Sequence, residues 1–218
     1  MGKTLSGVGV LDKAVAVLDA LEAGPLSLTD LVDATALPRA TAHRLAVALE
    51  THGLVRRDEA GRFALGLRLV ALGRATSGAL SLPDLARPAL LALRDDTGES
   101  VQLYVRDGDR RVCVAAIESP HGLRTIVTLG ASLPIDKGSA GAILRLDKTA
   151  LRRGWAESVG EREAGVASVS APVYDDGGAV IAAVSVSGPI ERTTRQPGKR
   201  YATAVVDAAR AVESAAAR

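Results

Sequence analysis

The stretch from Leu26 to Leu65 constrains the fold of this chain more than any other. Ser27 is a residue type that caps helix N-termini, and Asp30 lies three positions further on, close to the spacing of a capping box. The apolar residues that follow lie at i, i+3 and i+4 of one helical stripe: Leu28, Leu31 and Val32. The pattern predicts a short helix that begins after Ser27.

A second helix is predicted from Pro38 to the residues before Gly53. Proline cannot continue a helix but suits its first turn, so it separates the two helices and starts the second. The positions that recur at helical spacing and should face inward are Ala42, Leu45, Ala46 and Leu49. The positions that should face outward are Ala40, His43, Arg44 and Val47, with Arg39 and Thr41 near the N-terminal tip.

A small hairpin is predicted after the second helix. Residues 54–57 and 62–65 alternate imperfectly between apolar and charged types around the turn 58–61. A helix over Val10–Leu21 should support the pair through one side, formed by Leu11, Ala14, Val15, Leu18 and Leu21. Two helices joined by a tight turn and followed by a hairpin are typical of a winged helix-turn-helix, whose second helix enters the major groove of DNA.

The charge distribution agrees with this interpretation. Residues 1–35 carry two basic and five acidic side chains, whereas residues 36–66 carry five arginines against three acidic residues. Local neutralisation of phosphates provides much of the affinity for DNA. We expect Arg39, Thr41 and His43 to approach base edges. The residues expected to bind chiefly phosphates are Arg44, Arg56, Arg57 and Arg62. The alternative is a helical hairpin in an ordinary core, with the arginines as solvated surface.

Composition limits the class of protein. A chain of 218 residues with 47% hydrophobic content suits one large or two modest domains, and a net charge of +2 predicts nothing about partners. Residues 1–13 lack the apolar run of a signal peptide and no stretch approaches a membrane span, so we expect a cytoplasmic protein without a membrane partner. The only cysteine, Cys113, excludes an internal disulfide. An aromatic content of 2% disfavours single-strand or RNA binding by base stacking.

The chain divides into three predicted parts: residues 1–66, a linker helix over 67–82, and residues 83–218. The third part has helices at its ends, over Asp84–Asp96 and Lys199–Ala216. Between them lie two predicted hairpins, whose strands are Glu99–Arg106, Arg110–Ile117, Gly165–Tyr174 and Ala179–Val186. We therefore expect an α+β fold, with an antiparallel sheet and helices packed on it.

No catalytic, metal or cofactor site is predicted. His43, His52 and His121 do not have metal-ligand spacing with Cys113 or with one another. No serine has a clear histidine and aspartate pair, so there is no sign of a hydrolase triad. We therefore do not expect an enzyme.

Several blocks of sequence resemble a known family. They are GVGVLDKAVAVLDAL, PRATAHRLAVALETHGLVRRD, RFALGLRL, GESVQLYVRDG and GEREAGVASVSAPVYDDGGAVIAAVSVSGPIER. They extend over nearly the whole chain, which resembles the IclR family of bacterial transcriptional regulators. The sequence of these blocks most resembles the actinobacterial subgroup that regulates leucine and other amino-acid biosynthesis genes.

The resemblance implies a winged helix-turn-helix, a linker helix and a GAF-like effector-binding domain. It also implies a homodimer or tetramer that binds double-stranded operator DNA as a repressor or activator, and a small-molecule effector such as an amino acid or related metabolite. The effector-binding positions that it implies are Ser139, Ala140, Gly141, Val166, Ser168, Ser185 and Ser187, with Ser158 at the rim.

The residue types at these positions can form hydrogen bonds with a polar or anionic ligand. Ser185 and Ser187 alternate along a strand, so both hydroxyls point to one face and can bind one carboxylate or hydroxyl group. The turn 139–141 before a helix offers backbone N–H groups to an anion. The alternative is that these small residues only permit close packing in the sheet.

The sequence departs from the family between two predicted helices. Residues 143–145 run almost directly into 146–148, where members usually carry further helical sequence that covers the pocket. Either the lid is short or residues are absent from the sequence, and the family's usual lysine is replaced by Ala142. The competing function is a GAF-like enzyme or sensor that uses the winged helix as a protein-interaction module; duplex-DNA binding distinguishes the two.

Overall fold

The computed structural model describes residues 7–75 and 81–217 of the chain. The chain forms two compact units, residues 1–77 and 78–218. Each unit has its own hydrophobic core. Within the described ranges, no helix is both long enough and apolar enough to cross a membrane.

The first unit contains four helices and a two-stranded ribbon within its described residues. In chain order they are α1 (Gly9–Ala20), α2 (Leu28–Thr35), α3 (Arg39–Thr51), β1 (Val55–Arg57), β2 (Phe63–Leu65) and α4 (Arg68–Ala75). The core of the unit includes Val17, Leu31, Ala46, Val55 and Phe63. This order confirms the winged helix-turn-helix that the sequence predicts.

The local signals at the start of α2 act as predicted. The Ser27 hydroxyl accepts a hydrogen bond from the Asp30 backbone N–H at 3.2 Å, and the Asp30 carboxylate accepts one from the Ser27 N–H at 3.3 Å. These two bonds form the capping box. The helix ends at Ala36, whose φ of 52° is left-handed, and Pro38 then precedes α3.

The two faces of α3 follow the predicted periodicity. Ala42, Ala46 and Leu49 are buried, while His43 and Arg44 are exposed. Gly53, with φ of 71°, ends the helix in a left-handed conformation that suits glycine. The ribbon that follows is antiparallel, and Phe63 also pairs through its backbone with Leu26. The α3 helix is thereby fixed with one face outward.

The predicted inner side of α1 is partly wrong. Leu11 and Val15 are 53% and 45% exposed, whereas Val17 is fully buried. The stripe that packs inward is Ala14, Val17, Leu18 and Leu21, the spacing i, i+3, i+4, i+7. Leu11 and Val15 lie beside this stripe, because a helix advances about 100° per residue and three helices leave only a narrow contact for α1.

The predicted linker helix over 67–82 is only partly described. Its first half is α4, and residues 76–80 lie outside the described residues. Leu82, placed at the end of the predicted linker, instead belongs to the next helix and is buried in the core of the second unit. The predicted domain boundaries themselves stay predictions.

The second unit is an antiparallel sheet between helices. Its elements are α5 (Ser81–Thr97), β3 (Ser100–Asp107), β4 (Arg110–Ile117), β5 (Ser132–Pro134), α6 (Ser139–Leu144), α7 (Lys148–Arg153), β6 (Ala156–Val159), β7 (Val166–Tyr174), β8 (Val180–Pro189), α8 (Ile190–Thr193) and α9 (Pro197–Ala216). The strands are ordered β5-β4-β3-β8-β7-β6, and all pairings are antiparallel. This architecture confirms the α+β class.

The two faces of the sheet differ in chemistry. Alternate strand residues turn to opposite faces. The face covered by α5 and α9 is apolar, with Val101, Leu103, Val169, Val184 and Val186 in the core cluster. The intervening positions on the face covered by α6 carry polar side chains, including Gln102, Tyr104, Ser170, Ser185 and Ser187. A buried row of polar side chains needs hydrogen-bonding partners, and it lies where the effector site is expected.

The short segment between α6 and α7 is a tight turn. The α6 helix has six residues, and Leu146 follows it with a left-handed φ of 62°. The Asp147 carboxylate then accepts hydrogen bonds from the backbone N–H groups of Thr149 and Ala150, at 3.0 and 2.9 Å, and starts α7. The chain therefore closes this turn without a further helix.

Candidate DNA interface and effector cavity

The outward face of α3 presents polar side chains to solvent. His43 and Arg44 are exposed, and neither side chain forms a hydrogen bond or ion pair with any other residue in the described ranges. Arg39 is exposed at the N-terminal tip, where its guanidinium donates a long hydrogen bond of 3.4 Å to the Thr29 hydroxyl. Thr41 is half-buried on the same turn. The four predicted helix residues thus lie in the first two turns of α3, and of the four only Arg39, His43 and Arg44 are exposed.

The three arginines of the hairpin differ in their partners. The Arg57 Nε lies 3.4 Å from a Glu50 carboxylate oxygen, and the Arg62 Nε donates to the Asp58 carboxylate at 2.8 Å. Arg56 is exposed and has no acidic partner among the described residues. Exposed ion pairs contribute little free energy, so Arg57 and Arg62 can exchange their carboxylates for phosphates at a small cost. Arg56 needs no such exchange.

A cavity lies between α6 and the polar face of the sheet. Seven of the eight predicted effector residues line it: Ser139, Ala140, Ser158, Val166, Ser168, Ser185 and Ser187. Ser158 is buried in the lining, whereas the sequence placed it at the rim. The structure therefore gathers residues from β6, β7, β8 and α6 around one space.

The serine hydroxyls in this region form a connected chain. The Ser139 hydroxyl lies 2.7 Å from that of Ser168 and 2.8 Å from that of Ser170. The Ser170 hydroxyl donates to Ser185 at 2.9 Å. A hydroxyl hydrogen rotates and each oxygen accepts two hydrogen bonds, so these groups can redirect their hydrogen bonds to a polar ligand.

The free space in the cavity is small. It measures about 20 Å³, which is room for a single water molecule. Beside it the Ser187 hydroxyl donates to the Gln102 side-chain oxygen at 3.0 Å. Any larger effector therefore requires the lining to move. The part of the lining on an exposed loop is Arg162 and Glu163, between Gly160 and β7.

Gly141 does not line the cavity, so its predicted place in the effector site needs correction. A Cβ at this position would collide with the Ile135 backbone oxygen and lie 2.7 Å from the Arg111 Nη1. Gly141 therefore allows close packing. The N–H of Gly138, at the start of α6, donates to the Glu161 carboxylate at 2.9 Å, so the first free backbone donor of this turn is already paired.

Sequence reasoning missed six lining residues. They are Gln102, Tyr104, Arg111, Gly138, Arg162 and Glu163. The alternation that indicated Ser185 and Ser187 also applies to β3, and would have placed Gln102 and Tyr104 on a shared face. Burial raises the pKa of the Tyr104 hydroxyl, so this group remains a neutral donor and acceptor.

Cys113 lies on β4 and is fully buried. Burial raises the pKa of its thiol to about 11, so the sulfur stays protonated near neutral pH. The thiol S–H, a weak donor, points to the Ala115 backbone oxygen, which lies 3.3 Å from Sγ. The side chain is a packing residue rather than a reactive group.

Comparison with protein families identifies the chain. The family model of the IclR helix-turn-helix domain matches residues 10–59, and that of the bacterial transcriptional regulator IclR C-terminal domain matches residues 75–150 and 145–214. The chain belongs to the IclR family of bacterial transcriptional regulators. The two C-terminal matches meet at residues 145–150, where the structure has its tight turn between α6 and α7.

Curated relatives are similar over nearly their whole length. The glycerol operon regulatory protein of Streptomyces coelicolor is 30% identical, with 93% of this chain and 94% of the relative aligned. The transcriptional regulator KipR of Bacillus subtilis is 26% identical over 90% of this chain and 92% of the relative. The family and these relatives are DNA-binding transcriptional regulators, not enzymes.

Solved structures share the fold. A putative transcriptional regulator from Rhodococcus sp. RHA1 is 27% identical, with a TM-score of 0.72 over 96% of this chain and 98% of that one. An IclR homologue from Microbacterium hydrocarbonoxydans, solved in complex with 4-hydroxybenzoate, has a TM-score of 0.75 at 22% identity, over 95% of this chain and 98% of that one. At this identity the second likeness supports the fold alone.

Proposed function

We propose that this chain is an operator-binding transcriptional regulator whose affinity for DNA changes when a small molecule occupies the serine-lined cavity. The observation that carries the proposal is the outward face of α3, where the His43 and Arg44 side chains are exposed and have no partner among residues 7–75 and 81–217. Such a helix in a winged helix-turn-helix fits the major groove. Arg39, Thr41 and His43 then approach base edges, and Arg44 binds phosphate.

The hairpin adds phosphate contacts. Arg56 can bind a phosphate without giving up an ion pair, because it has no acidic partner in the described part of the chain. Arg57 and Arg62 contribute after exchange with Glu50 and Asp58. Their net contribution is smaller, because each exchange gives up an existing ion pair.

A dimer or tetramer fits a two-fold operator. In a dimer the two recognition helices lie about 34 Å apart, or a multiple of it, when the half-sites are separated by whole helical turns. The family resemblance supports this assembly, and the expectation of a cytoplasmic protein rests on the sequence alone.

The chemical class of the effector is inferred from the side chains that line the cavity. Its hydroxyl-rich lining favours a compact polar molecule such as an amino acid or a related metabolite. Leucine-biosynthesis target genes stay a prediction from the resemblance, because the relatives reported above do not support them. One of those relatives is a glycerol operon regulator.

Fluorescence anisotropy with labelled duplexes tests the proposal. The duplexes come from DNA upstream of the gene itself and of the neighbouring operon, and a shuffled duplex of equal length is the control. We expect one upstream duplex to bind more tightly than the shuffled one, and one of the candidate amino acids or related metabolites to change that affinity. Equal binding to all duplexes at every salt concentration would contradict the proposal and favour a protein-interaction role for the winged helix.

A further inference from the structure

We propose that the effector carries a compact oxyanion, a carboxylate or phosphate group, and that Arg111 binds it. This inference rests on the proposed function, since it assigns the ligand class of the same cavity. Arg111 is not among the predicted site residues; it lies on β4, outside the strands and the turn that contain them. The observation behind it is a buried cation whose hydrogen-bonding edge is unpaired.

Arg111 is buried, and no counterion for it lies in the described part of the chain. Its side chain lines the cavity and the residue is 3% exposed. Among the described residues, no carboxylate lies within ion-pair distance of its guanidinium. A guanidinium stays charged in proteins, and a buried charge without a counterion is unfavourable. An anion in the cavity would supply the missing partner.

The hydrogen bonds of Arg111 leave one edge of the guanidinium unused. Nη1 donates to the backbone oxygens of Pro134, at 2.9 Å, and Lys137. Nε is buried with no hydrogen-bond partner, and Nη2 forms no hydrogen bond with any described residue. Nε–H and one Nη2–H are parallel donors on one edge, which matches the two oxygens of a carboxylate or phosphate.

Close packing fixes this edge in place. Cζ lies 5.3 Å from the centre of the Tyr104 ring. A Cβ on Gly138 would lie 3.3 Å from Nη2, and one on Gly141 would lie 2.7 Å from Nη1. The guanidinium therefore occupies the space that two side chains would fill. A cation held in this way loses little conformational entropy when an anion binds.

The surrounding charges also favour an anion. Burial lowers the pKa of Arg111, and repulsion from Arg162 and Arg145 lowers it further, whereas Tyr104 and Asp136 act in the opposite direction. Arg162 lines the same cavity and pairs only with its neighbour Glu163, at 3.3 Å, among the described residues. An anion between Arg111 and Arg162 reduces their mutual repulsion. A neutral effector could accept hydrogen bonds from the unused edge of Arg111 but would leave this repulsion unchanged.

Nuclear magnetic resonance of the full chain labelled with ¹⁵N-arginine tests the contact directly. The probes are acetate and inorganic phosphate, with acetamide as a neutral analogue of acetate, all at constant ionic strength set with chloride. We expect the Arg111 Nε–H signal, assigned by its loss in Arg111→Lys, to shift saturably with at least one oxyanion. Acetamide at the same concentrations should shift it much less, because its oxygen accepts a hydrogen bond but carries no charge.

The variant Arg111→Lys keeps the charge but removes the two-donor edge. We expect the oxyanion that shifts the Arg111 signal to raise the melting temperature of the unmodified protein, and to bind the variant about tenfold or more weakly. The matched control is Arg110→Lys, at the adjacent exposed position, whose guanidinium donates instead to Ser132. Its oxyanion affinity should equal that of the unmodified protein.

Two results would overturn the inference: an Arg111 signal that no oxyanion shifts, or an equal shift with acetamide. Both are measured on the unmodified protein. If Arg111→Lys fails to fold, through-bond correlation of the side chain with the assigned backbone, in ¹³C,¹⁵N-labelled protein, identifies the Arg111 signal instead. Duplex binding by the same preparation separates the two proposals. A duplex preference without an oxyanion contact contradicts only the effector class, whereas absence of any duplex preference contradicts the proposed function.

Discussion

The two units of this protein differ in where their functional polar side chains lie: exposed in the first unit and buried in the second. The first unit buries apolar residues and leaves the polar side chains of α3 in solvent. The second unit buries a row of polar side chains between its sheet and α6, where hydroxyls bond to one another. An exposed surface carries little of the folding free energy, whereas a buried polar network must be satisfied to fold. Substitutions of the exposed side chains of α3 should therefore change DNA affinity alone, and substitutions in the buried polar row of the second unit should change stability as well.

The largest loss of stability is expected where packing is tightest. The substitution Gly141→Ala places a methyl group against the Ile135 backbone oxygen and the Arg111 guanidinium. Because backbone cannot move aside cheaply, the free energy of unfolding should fall by about 1–3 kcal/mol. Urea denaturation measures this loss. The control Gly122→Ala adds the same methyl group in open space at a position without left-handed backbone, and should change stability little.

A smaller loss is expected from the hydroxyl network. Ser170→Ala removes a group that contacts Ser139 and donates to Ser185. Ser185 then loses a buried partner, so the free energy of unfolding should fall by about 1–2 kcal/mol. The exposed Ser132→Ala, which removes an acceptor for the Arg110 side chain, is the control in the same urea series. If both variants lose equally little, the buried network is not a stabilising feature.

The smallest effect is a gain, in the turn between α2 and α3. Ala36 is exposed with a φ of 52°, a conformation that costs about 1–2 kcal/mol for a residue with a Cβ. Ala36→Gly removes that cost but adds about 0.4–1 kcal/mol of unfolded-chain entropy. Thermal unfolding should therefore show a net gain of up to about 1.6 kcal/mol. The control Ala34→Gly, inside α2, should lose about 1 kcal/mol; a loss in both variants would contradict this account of the turn.

The sequence predicts the first unit better than the second. The faces of α3 follow from helical spacing, and the capping box from Ser27 and Asp30, because both signals are local. Leu11 and Val15 were misplaced because two adjoining apolar stripes on α1 look alike until its neighbours select one. The ion pairs of Arg57 and Arg62 were also missed, since they depend on side-chain geometry in the folded hairpin.

In the second unit, alternation predicts the two central hairpins, and the family resemblance names the serines. The short strands β5 and β6 were not predicted, because three or four residues carry too little alternation to detect. Arg111 was missed for a different reason. Its burial depends on the 134–141 segment folding over it, a contact between parts of the chain that are distant in sequence.

The most direct test of the central claim, that the outward face of α3 binds DNA, is a salt titration of duplex affinity for Arg44→Ala. We predict weaker binding to all duplexes and a salt slope lower by about one unit, with no change in unfolding free energy. Arg62→Ala, whose guanidinium is paired with Asp58, should change the slope less, and Arg210→Ala, on α9 of the second unit, should leave it unchanged. An unchanged affinity and slope for Arg44→Ala would contradict the claim.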